Sequence, residues 1–211
     1  MELYRSQTDT EDVKRSFFLA LLLLVPLLSV HAYRILYAEQ YYRLFHEHLY
    51  QYPEDCLENI TYLQDALNAD FANPLYALAK INNKIQWERY RYLFKMHVNL
   101  LLVAQYRLLA SEYDKRVAYF YNYPWKKENL DSLKTAEELY RTALTYWSSA
   151  VHWSSLASRL AIVQLPQIQD WEDESFRIQT GRLDYAKYIG MDLARLRHVR
   201  SVFEQMNPST Y

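Results

Sequence analysis

The residues best suited to catalysis or metal binding in this 211-residue chain are its six histidines, and only two of them stand close together. His46 and His48 flank a glutamate in a segment whose sequence predicts a helix. Side chains two positions apart on a helix point about 200° away from each other, so these imidazoles cannot share one metal ion. No histidine pair has the four-residue spacing, with a glutamate, of a zinc hydrolase helix. The histidines predict a solvated or packed helix face, with no metal and no cofactor.

Motifs for nucleophilic catalysis or phosphate binding are also missing from the sequence. The two glycines stand alone, at 181 and 190, so no glycine-rich phosphate loop can form. Four serines between positions 148 and 155 lack the strand-turn-helix context that exposes a catalytic serine. We therefore predict that the protein is not an enzyme, and we assign no catalytic residue.

Tyrosine is the most unusual feature of the composition, with 21 copies. Its apolar ring and polar hydroxyl suit half-exposed helix faces and protein contact surfaces. Aromatic residues crowd 119–125 on every side of a predicted helix end, and interspersed arginines complete a composition typical of interface hot spots. The predicted partner-binding residues are Arg89, Arg91, Tyr106, Tyr113, Arg116, Tyr119, Tyr121, Tyr123 and Trp125. The alternatives are a buried core, or contact with lipid or glycan.

The charge balance and the cysteine count exclude several classes of protein. The 24 basic and 25 acidic residues are spread evenly, which leaves neither a basic footprint for nucleic acid nor a polybasic stripe for anionic lipid. A single cysteine, Cys56, cannot form a disulfide within the chain and is expected to be a small buried residue. We therefore predict no nucleic-acid partner.

The scarcity of glycine and the long uninterrupted stretches between prolines predict an all-α fold. Prolines mark the breaks, because the residue before a proline disfavours helix. The predicted helices cover 32–51, 54–69, 75–121, 128–147, 150–164 and 171–205. The third would be very long and could kink at the asparagine pair 82–83, where helix propensity is weakest. In the sixth, each glycine is either an interior residue or a break.

Small and aromatic residues recur at spacings that suggest helical hairpins. Seven of them match a known motif in type and spacing: Ala136, Tyr140, Ala143, Trp153, Leu156, Ala157 and Leu160. Through these residues the chain resembles the tetratricopeptide repeat, over two degenerate units at most, 54–86 and 130–164. The consensus proline after the second helix is missing. The resemblance implies an array of helical hairpins that binds partner proteins. An irregular bundle with one very long helix is the alternative.

The most apolar segment is 17–30, which has one hydroxyl among fourteen residues and follows Lys14 and Arg15. It has the length of a signal-peptide core, and Val30 and Ala32 fit the small-residue positions before a cut at Tyr33. A retained signal-anchor of about 20 residues is the alternative, and a buried helix of a soluble protein is a third. The residues expected in the membrane are Phe17, Phe18, Leu21, Leu22, Leu23, Leu24, Val25, Leu27 and Leu28.

This segment predicts a domain boundary and a location. Residues 1–32 would form a cytoplasmic leader with a signal peptide or a single-pass anchor, and residues 33–211 an exported, periplasmic or extracytoplasmic helical domain. We expect a tyrosine-rich scaffold that binds other proteins of a membrane-associated assembly. One alternative is a binding module for a small apolar ligand, held near Trp87, Trp147 or Trp153.

A second alternative for the function follows from the overall composition and the predicted architecture of the chain. The exported, tyrosine-rich helical domain is similar to periplasmic accessory proteins of spirochaetes, including those around their internal flagella. That similarity implies an accessory component of such a flagellar assembly.

Overall fold

Six α-helices make up the part of the chain that the computed structural model describes, residues 34–116, 119–161 and 164–210. They are α1 Ala38–Gln51, α2 Cys56–Asn68, α3 Lys84–Tyr113, α4 Lys126–Ser158, α5 Gln169–Gln179 and α6 Tyr185–Gln205. Three single-turn 3-10 helices each contain a proline: Pro74–Tyr76, Tyr123–Trp125 and Pro166–Ile168. Within these residues the only β pairing is an isolated parallel bridge between Tyr37 and Asp70. The all-α prediction is confirmed for this part of the chain.

Side-chain caps fix where several helices begin. The side chain of Asn83 accepts a hydrogen bond from the backbone N–H of Gln86 at 2.9 Å, and Asp55 and Asp184 cap α2 and α6 in the same way. Such a cap satisfies a backbone donor that has no partner within the first turn. The asparagine pair therefore starts α3 and does not kink it. The predicted helix over 75–121 is wrong at both ends: α3 has 30 residues and is about 45 Å long.

α4 is one helix of 33 residues where the sequence predicts two, over 128–147 and 150–164. The hydroxyls of Ser148 and Ser149 donate to the carbonyl oxygens of residues 144 and 145, at 3.0 and 3.2 Å. This back-bonding accommodates the serine pair inside the helix, so the predicted break does not occur.

A seven-residue repeat along α4 accounts for the motif that resembles tetratricopeptide repeats. Its buried residues form two series, Leu133, Tyr140, Trp147 and Ser154, and Ala136, Ala143, Ala150 and Ala157. Alternating spacings of three and four are the seam of a helix that packs along another helix, here α3. The hairpin implied over 130–164 is not formed because α4 continues through its turn, and in the unit 54–86 residues 77–83 are not helical.

The predicted helix over 171–205 is divided into α5 and α6. Gly181 has a φ of +69°, a left-handed conformation that glycine adopts without steric cost and that commonly ends helices. Gly190 lies inside α6. One glycine is thus a break and the other is an interior residue.

The antiparallel pair of α3 and α4 carries the other helices. α1 runs beside the first half of α3, where Tyr42 contacts Phe94, and α2 returns beside its second half. α5 packs where the start of α3 meets the end of α4. α6 then runs antiparallel to α4, from Tyr185 against Trp147 to Arg200 against Glu137.

Two ends of this helical domain present different groups. At the entry end, the start of α1, the segment 70–83, the start of α3, the end of α4 and residues 164–168 come together; for example, the Ala38 N–H donates to the Asp70 carbonyl at 2.9 Å. At the distal end, residues 119–125 of the connection after α3 pack against the last turn of α6. The length of α3, about 45 Å, separates the two ends.

Candidate functional site

Five large aromatic side chains are exposed at the distal end, and we call them the aromatic corner. They are Tyr113, Phe120, Tyr121, Tyr123 and Trp125, each between 39% and 60% exposed. Exposed apolar groups scattered singly are ordinary on a soluble protein, whereas a contiguous group marks an interaction site. The aromatic corner is therefore the strongest candidate for a functional surface in the described part of the chain.

The backbone beneath the aromatic corner is held by side chains of α4. The Asn129 amide donates to the carbonyl oxygens of Trp125 at 2.8 Å and Phe120 at 3.3 Å. The Lys126 ammonium donates to the carbonyls of Glu204, in the last turn of α6, and Met206, the residue after that helix, at 2.9 and 3.0 Å. These bonds fix the connection between α3 and α4 against the end of α6.

Aromatic stacking also attaches the connection after α3 to α6. Tyr121 lies parallel to Phe203, with ring centroids 5.2 Å apart, and the Tyr119 ring meets Phe203 at 5.9 Å. Phe203 is fully buried. The inner aromatic faces thus belong to the core, while the outer faces of Phe120 and Trp125, which pack together at 5.6 Å, remain exposed.

A buried carboxylate lies directly under the aromatic corner. The Asp114 side chain, which is fully buried, accepts hydrogen bonds from the hydroxyls of Tyr119 at 2.7 Å and Tyr140 at 3.1 Å. It also forms a two-point ion pair with Arg195. One carboxylate therefore connects the end of α3 to α4, to α6 and to the connection itself. Burial raises the pKa of Tyr119 to about 12, so its hydroxyl remains a donor at neutral pH.

A second buried carboxylate, Asp192 on α6, completes this ionic network. Arg107 pairs with it at 3.4 Å, and Arg116 pairs with both Asp192 and Asp114. Arg116 is 56% exposed, yet its charge is already neutralised within the domain. Its main role is to hold the α3 exit against α6.

Two adjoining grooves extend from the aromatic corner along α4. The first, about 510 Å³, begins at Tyr123 and passes the lysines 126 and 127. The second, about 520 Å³, lies between α4 and α6, and Leu130 and Asp131 line both. In the second groove Glu137 is paired with Arg141 at 2.7 Å and Arg200 at 2.6 Å. Both grooves carry charges of both signs, which suits the rim of a protein contact better than a pocket for an apolar molecule.

The structure brings six of the nine predicted partner-binding residues together at the distal end: Tyr113, Arg116, Tyr119, Tyr121, Tyr123 and Trp125. The other three lie elsewhere. Arg91 covers the ring of Phe71 at 5.2 Å, and Tyr106 stacks on Tyr146 at 5.3 Å while accepting a hydrogen bond from Gln64.

Arg89 is the clearest departure from the predicted surface. It is only 6% exposed, and its guanidinium forms a two-point ion pair with Glu172 at 2.7 and 2.5 Å. It also donates to the Ala157 carbonyl at 2.8 Å. Arg89 therefore joins α3 to α4 and α5, and the expectation that it is exposed is wrong, because the partner that buries it lies 83 residues away along the chain.

His97 links α1, α3 and α5 through hydrogen bonds that no local sequence spacing indicates. His97 Nδ1 lies 2.6 Å from a Glu174 carboxylate oxygen, and His97 Nε2 lies 3.1 Å from the Tyr42 hydroxyl. Burial raises the pKa of Tyr42 to about 12, so this phenol is a poor nucleophile at neutral pH. None of these residues lines the grooves above or the groove of about 390 Å³ beside Arg89. The arrangement serves to connect three helices.

The tryptophans considered for a ligand pocket pack against neighbouring side chains. Trp87 stacks on Tyr90 at 5.4 Å, and Trp147 meets Tyr185 edge-on. Trp153 is covered by the Lys95 ammonium at 4.5 Å. Cys56 is buried, as the sequence predicts.

A family model described as a domain of unknown function, DUF8513, matches residues 85–206. This match covers more than half of the chain, from the first turn of α3 to the end of α6. The chain belongs to the DUF8513 family. The aromatic corner, both buried carboxylates and both grooves lie inside the DUF8513 region, whereas α1 and α2 lie outside it. No curated protein and no solved structure matched the chain.

The segment expected to enter a membrane, including Phe17 to Leu28, lies outside the described residues. Among the helices of the described residues, none is long and apolar enough to span a bilayer.

Proposed function

We propose that this protein is a non-enzymatic helical scaffold that binds a partner protein through the aromatic corner, and that the segment 17–30 places it at a membrane after export. The observation that carries the proposal is the exposure of five aromatic side chains, one at the end of α3 and four on the connection whose backbone Asn129 holds at Phe120 and Trp125. Tyrosine and tryptophan are enriched among residues that dominate binding energy, and a rigid presentation lowers the entropy cost of binding.

The mixed charges of the adjoining grooves support a protein as the partner. An interface commonly surrounds an aromatic centre with a polar rim, and lysines 126 and 127 together with Glu128 and Asp131 border the groove that starts at Tyr123. Evenly distributed charges of both signs also favour a folded partner over nucleic acid. Whether the partner belongs to a flagellar assembly of the spirochaete type remains a prediction of the sequence resemblance.

The decisive experiment is site-specific photo-crosslinking of the full chain in its native membrane. A photo-reactive amino acid at Phe120 or Trp125 should capture a defined protein that mass spectrometry identifies in replicate samples. The same amino acid at Phe176, which is 56% exposed on α5 where that helix packs at the start of α3, is the matched control and should capture nothing specific.

A pair of variants then tests the energetic contribution of the surface. Phe120→Ser combined with Trp125→Ser should abolish recovery of the captured partner and leave the circular dichroism melting curve unchanged, because both outer faces are exposed. Phe176→Ser removes an exposed aromatic side chain on α5, at the other end of α3, and should retain the partner. Retention of the partner by the corner variant would exclude this surface. Arg89 and Arg116 are unsuitable probes, because both hold helices together.

A further inference from the structure

Large apolar side chains are also exposed at the entry end, opposite the aromatic corner. In the turn after α2, Leu75 is 85% exposed and Tyr76 is 72% exposed. Leu36 before α1 and Ile85 at the start of α3 are each nearly half exposed. None of them belongs to the surface proposed for the partner protein. We call these four residues the apolar tip.

The segments that carry the apolar tip are fixed to the helices behind them. The Ala72 N–H donates to the buried Glu39 carboxylate at 2.9 Å, and the Leu78 N–H donates to the buried Tyr90 hydroxyl at 3.2 Å. The Asn73 side chain caps the turn by accepting from the Leu75 N–H at 3.0 Å. The domain therefore presents Leu75 and Tyr76 outwards from a held loop, and their exposure is part of the fold.

Basic residues exceed acidic residues around the apolar tip. Lys80, Lys84 and Arg159 are exposed at the entry end, where the Lys80 backbone N–H donates to the Gln167 side-chain oxygen at 3.4 Å. Asp70 is the exposed acidic residue of the same segments, and Asp170 and Asp173 are exposed on α5, which follows them. The sequence has no basic stripe because Arg159 lies far along the chain from Lys80 and Lys84, and only the fold brings the three cations to one end.

The position of the apolar tip along the chain identifies its occupant. Only five residues lie between Val30, the end of the apolar segment, and Leu36 of the tip. Any bilayer that holds the apolar segment is therefore kept within covalent reach of the entry end. Leucine and tyrosine flanked by lysine and arginine are the side chains that favour the boundary between lipid headgroups and acyl chains.

We propose that the entry end rests on a lipid bilayer, with Leu75 and Tyr76 at the headgroup boundary and Lys80, Lys84 and Arg159 facing anionic headgroups. With the entry end on the bilayer, the aromatic corner lies at the far end of α3, which is about 45 Å long. The inference rests on the membrane placement in the proposed function, and it is independent of the partner surface.

Depth-dependent fluorescence quenching of the full chain tests this contact. In a Cys56→Ala background, Leu75→Cys and Tyr76→Cys each carry an environment-sensitive fluorophore, in vesicles of phosphatidylcholine and phosphatidylglycerol. Tyr50→Cys is the matched control, since Tyr50 is equally exposed at the other end of α1. We expect blue-shifted emission at 75 and 76, and quenching by headgroup-region nitroxide lipids several-fold stronger than at 50.

Three outcomes would overturn the lipid contact. One is full water exposure of the probes at 75 and 76 in vesicle-bound protein, and another is failure of the full chain to bind vesicles. The third is a blue shift in native membranes without lipid quenching, which would mean that a protein covers the tip.

A charge variant checks the role of the lysines and separates this inference from the proposed function. Lys80→Glu combined with Lys84→Glu should weaken quenching at 75 in anionic vesicles and have little effect in purely zwitterionic ones. Recovery of the crosslinked partner should be unchanged in this variant. Conversely, the variant Phe120→Ser combined with Trp125→Ser should lose the partner and keep the lipid quenching at 75, because it changes only the aromatic corner.

Discussion

Asp114 shows how one residue organises the region around the candidate surface. It follows the last residue of α3, and its carboxylate is surrounded by Arg195, Tyr119 and Tyr140 from three other parts of the chain. A buried carboxylate is costly to desolvate, so it is tolerated only where charged and neutral donors surround it. The position of Asp114 therefore fixes those donors as well.

Asp114→Asn should lower the free energy of unfolding by about 3 kcal/mol, because a buried ion pair loses one charge while Arg195 retains its own. Arg195 keeps some exposure and a distant Asp192 oxygen at 3.9 Å, which limits the cost. Urea denaturation followed by circular dichroism measures the change. The control is Asp131→Asn on the exposed groove rim, which should stay within about 0.5 kcal/mol of the parent. Equal effects of the two variants would show that Asp114 has no special role.

Buried tyrosines predict a loss of stability at alkaline pH. Burial raises the pKa of Tyr42 and Tyr119 to about 12 in the folded chain, compared with about 10 in the unfolded chain. Between these values the unfolded chain releases protons that the folded chain retains. The stabilisation is therefore complete below pH 10 and is lost as the pH rises towards 12.

Urea midpoints between pH 9 and pH 11 should fall more steeply for the parent than for Tyr42→Phe, which removes one of these protons. Tyr50→Phe, at a fully accessible position, should follow the parent slope. If Tyr42→Phe also follows the parent slope, the hydroxyl of Tyr42 is not titrating with a raised pKa.

At the scale of the elements, α3 and α4 show two ways in which sequence patterns set helix length. α3 begins where Asn83 supplies a cap. α4, by contrast, continues without a break through the two serines in its middle, because the seven-residue seam extends on both sides of them. Packing along a whole helix contributes more than the propensity of two residues. A local break signal is therefore decisive only where the apolar pattern also stops.

Replacing each of the two glycines by alanine should change the free energy of unfolding in opposite directions. Gly181→Ala should lower the free energy of unfolding by about 1 kcal/mol, because a side chain is strained at its φ of +69°. Gly190→Ala should raise it by about 0.5–1 kcal/mol, because glycine weakens a helix interior and an added Cβ meets nothing within 4 Å. Thermal melts followed by circular dichroism compare the two. Changes of the same sign would mean that α5 and α6 do not separate at Gly181.

At the scale of the whole molecule, the DUF8513 region depends on a hairpin outside it. α1 and the segment that follows α2 cover the first half of α3, where Tyr42 and Phe71 lie against Phe94 and Glu39 accepts from the Tyr90 hydroxyl, and α2 packs beside the second half. The fully buried Phe45 belongs to the same hydrophobic core. In this chain the family region therefore does not cover all of its own core.

A chain that starts at Lys84 should consequently be insoluble or oligomeric, with strong binding of a hydrophobic dye, because Tyr90 and Phe94 become exposed. A chain that starts at Ile35 keeps the hairpin and should remain monomeric in size-exclusion chromatography. A monomeric, cooperatively melting protein from the shorter chain would show that the hairpin is dispensable for folding.

Much of the fold could be predicted from local chemistry. Glycine scarcity gave the all-α class, prolines lie in the connections, and the burial of Cys56 followed from its being a lone cysteine. The candidate surface was only partly predictable. Composition identified the aromatic crowding at 119–125, but it could not separate the inner ring of Tyr119 from the outer faces of Phe120 and Trp125, because this segment is a connection without helical periodicity.

What the sequence by itself determined are properties that depend on neighbours a few residues apart: the all-α class, the connections that prolines mark and the apolar segment that precedes the described domain. The tertiary structure decided which charges are available. Arg89 and Glu172, His97 and Glu174, and Asp114 and Arg195 pair across 77 to 83 residues. No local spacing encodes such pairs, because each depends on how the helices pack. The same packing moves Arg89 into the core, and it collects Lys80, Lys84 and Arg159 at the entry end.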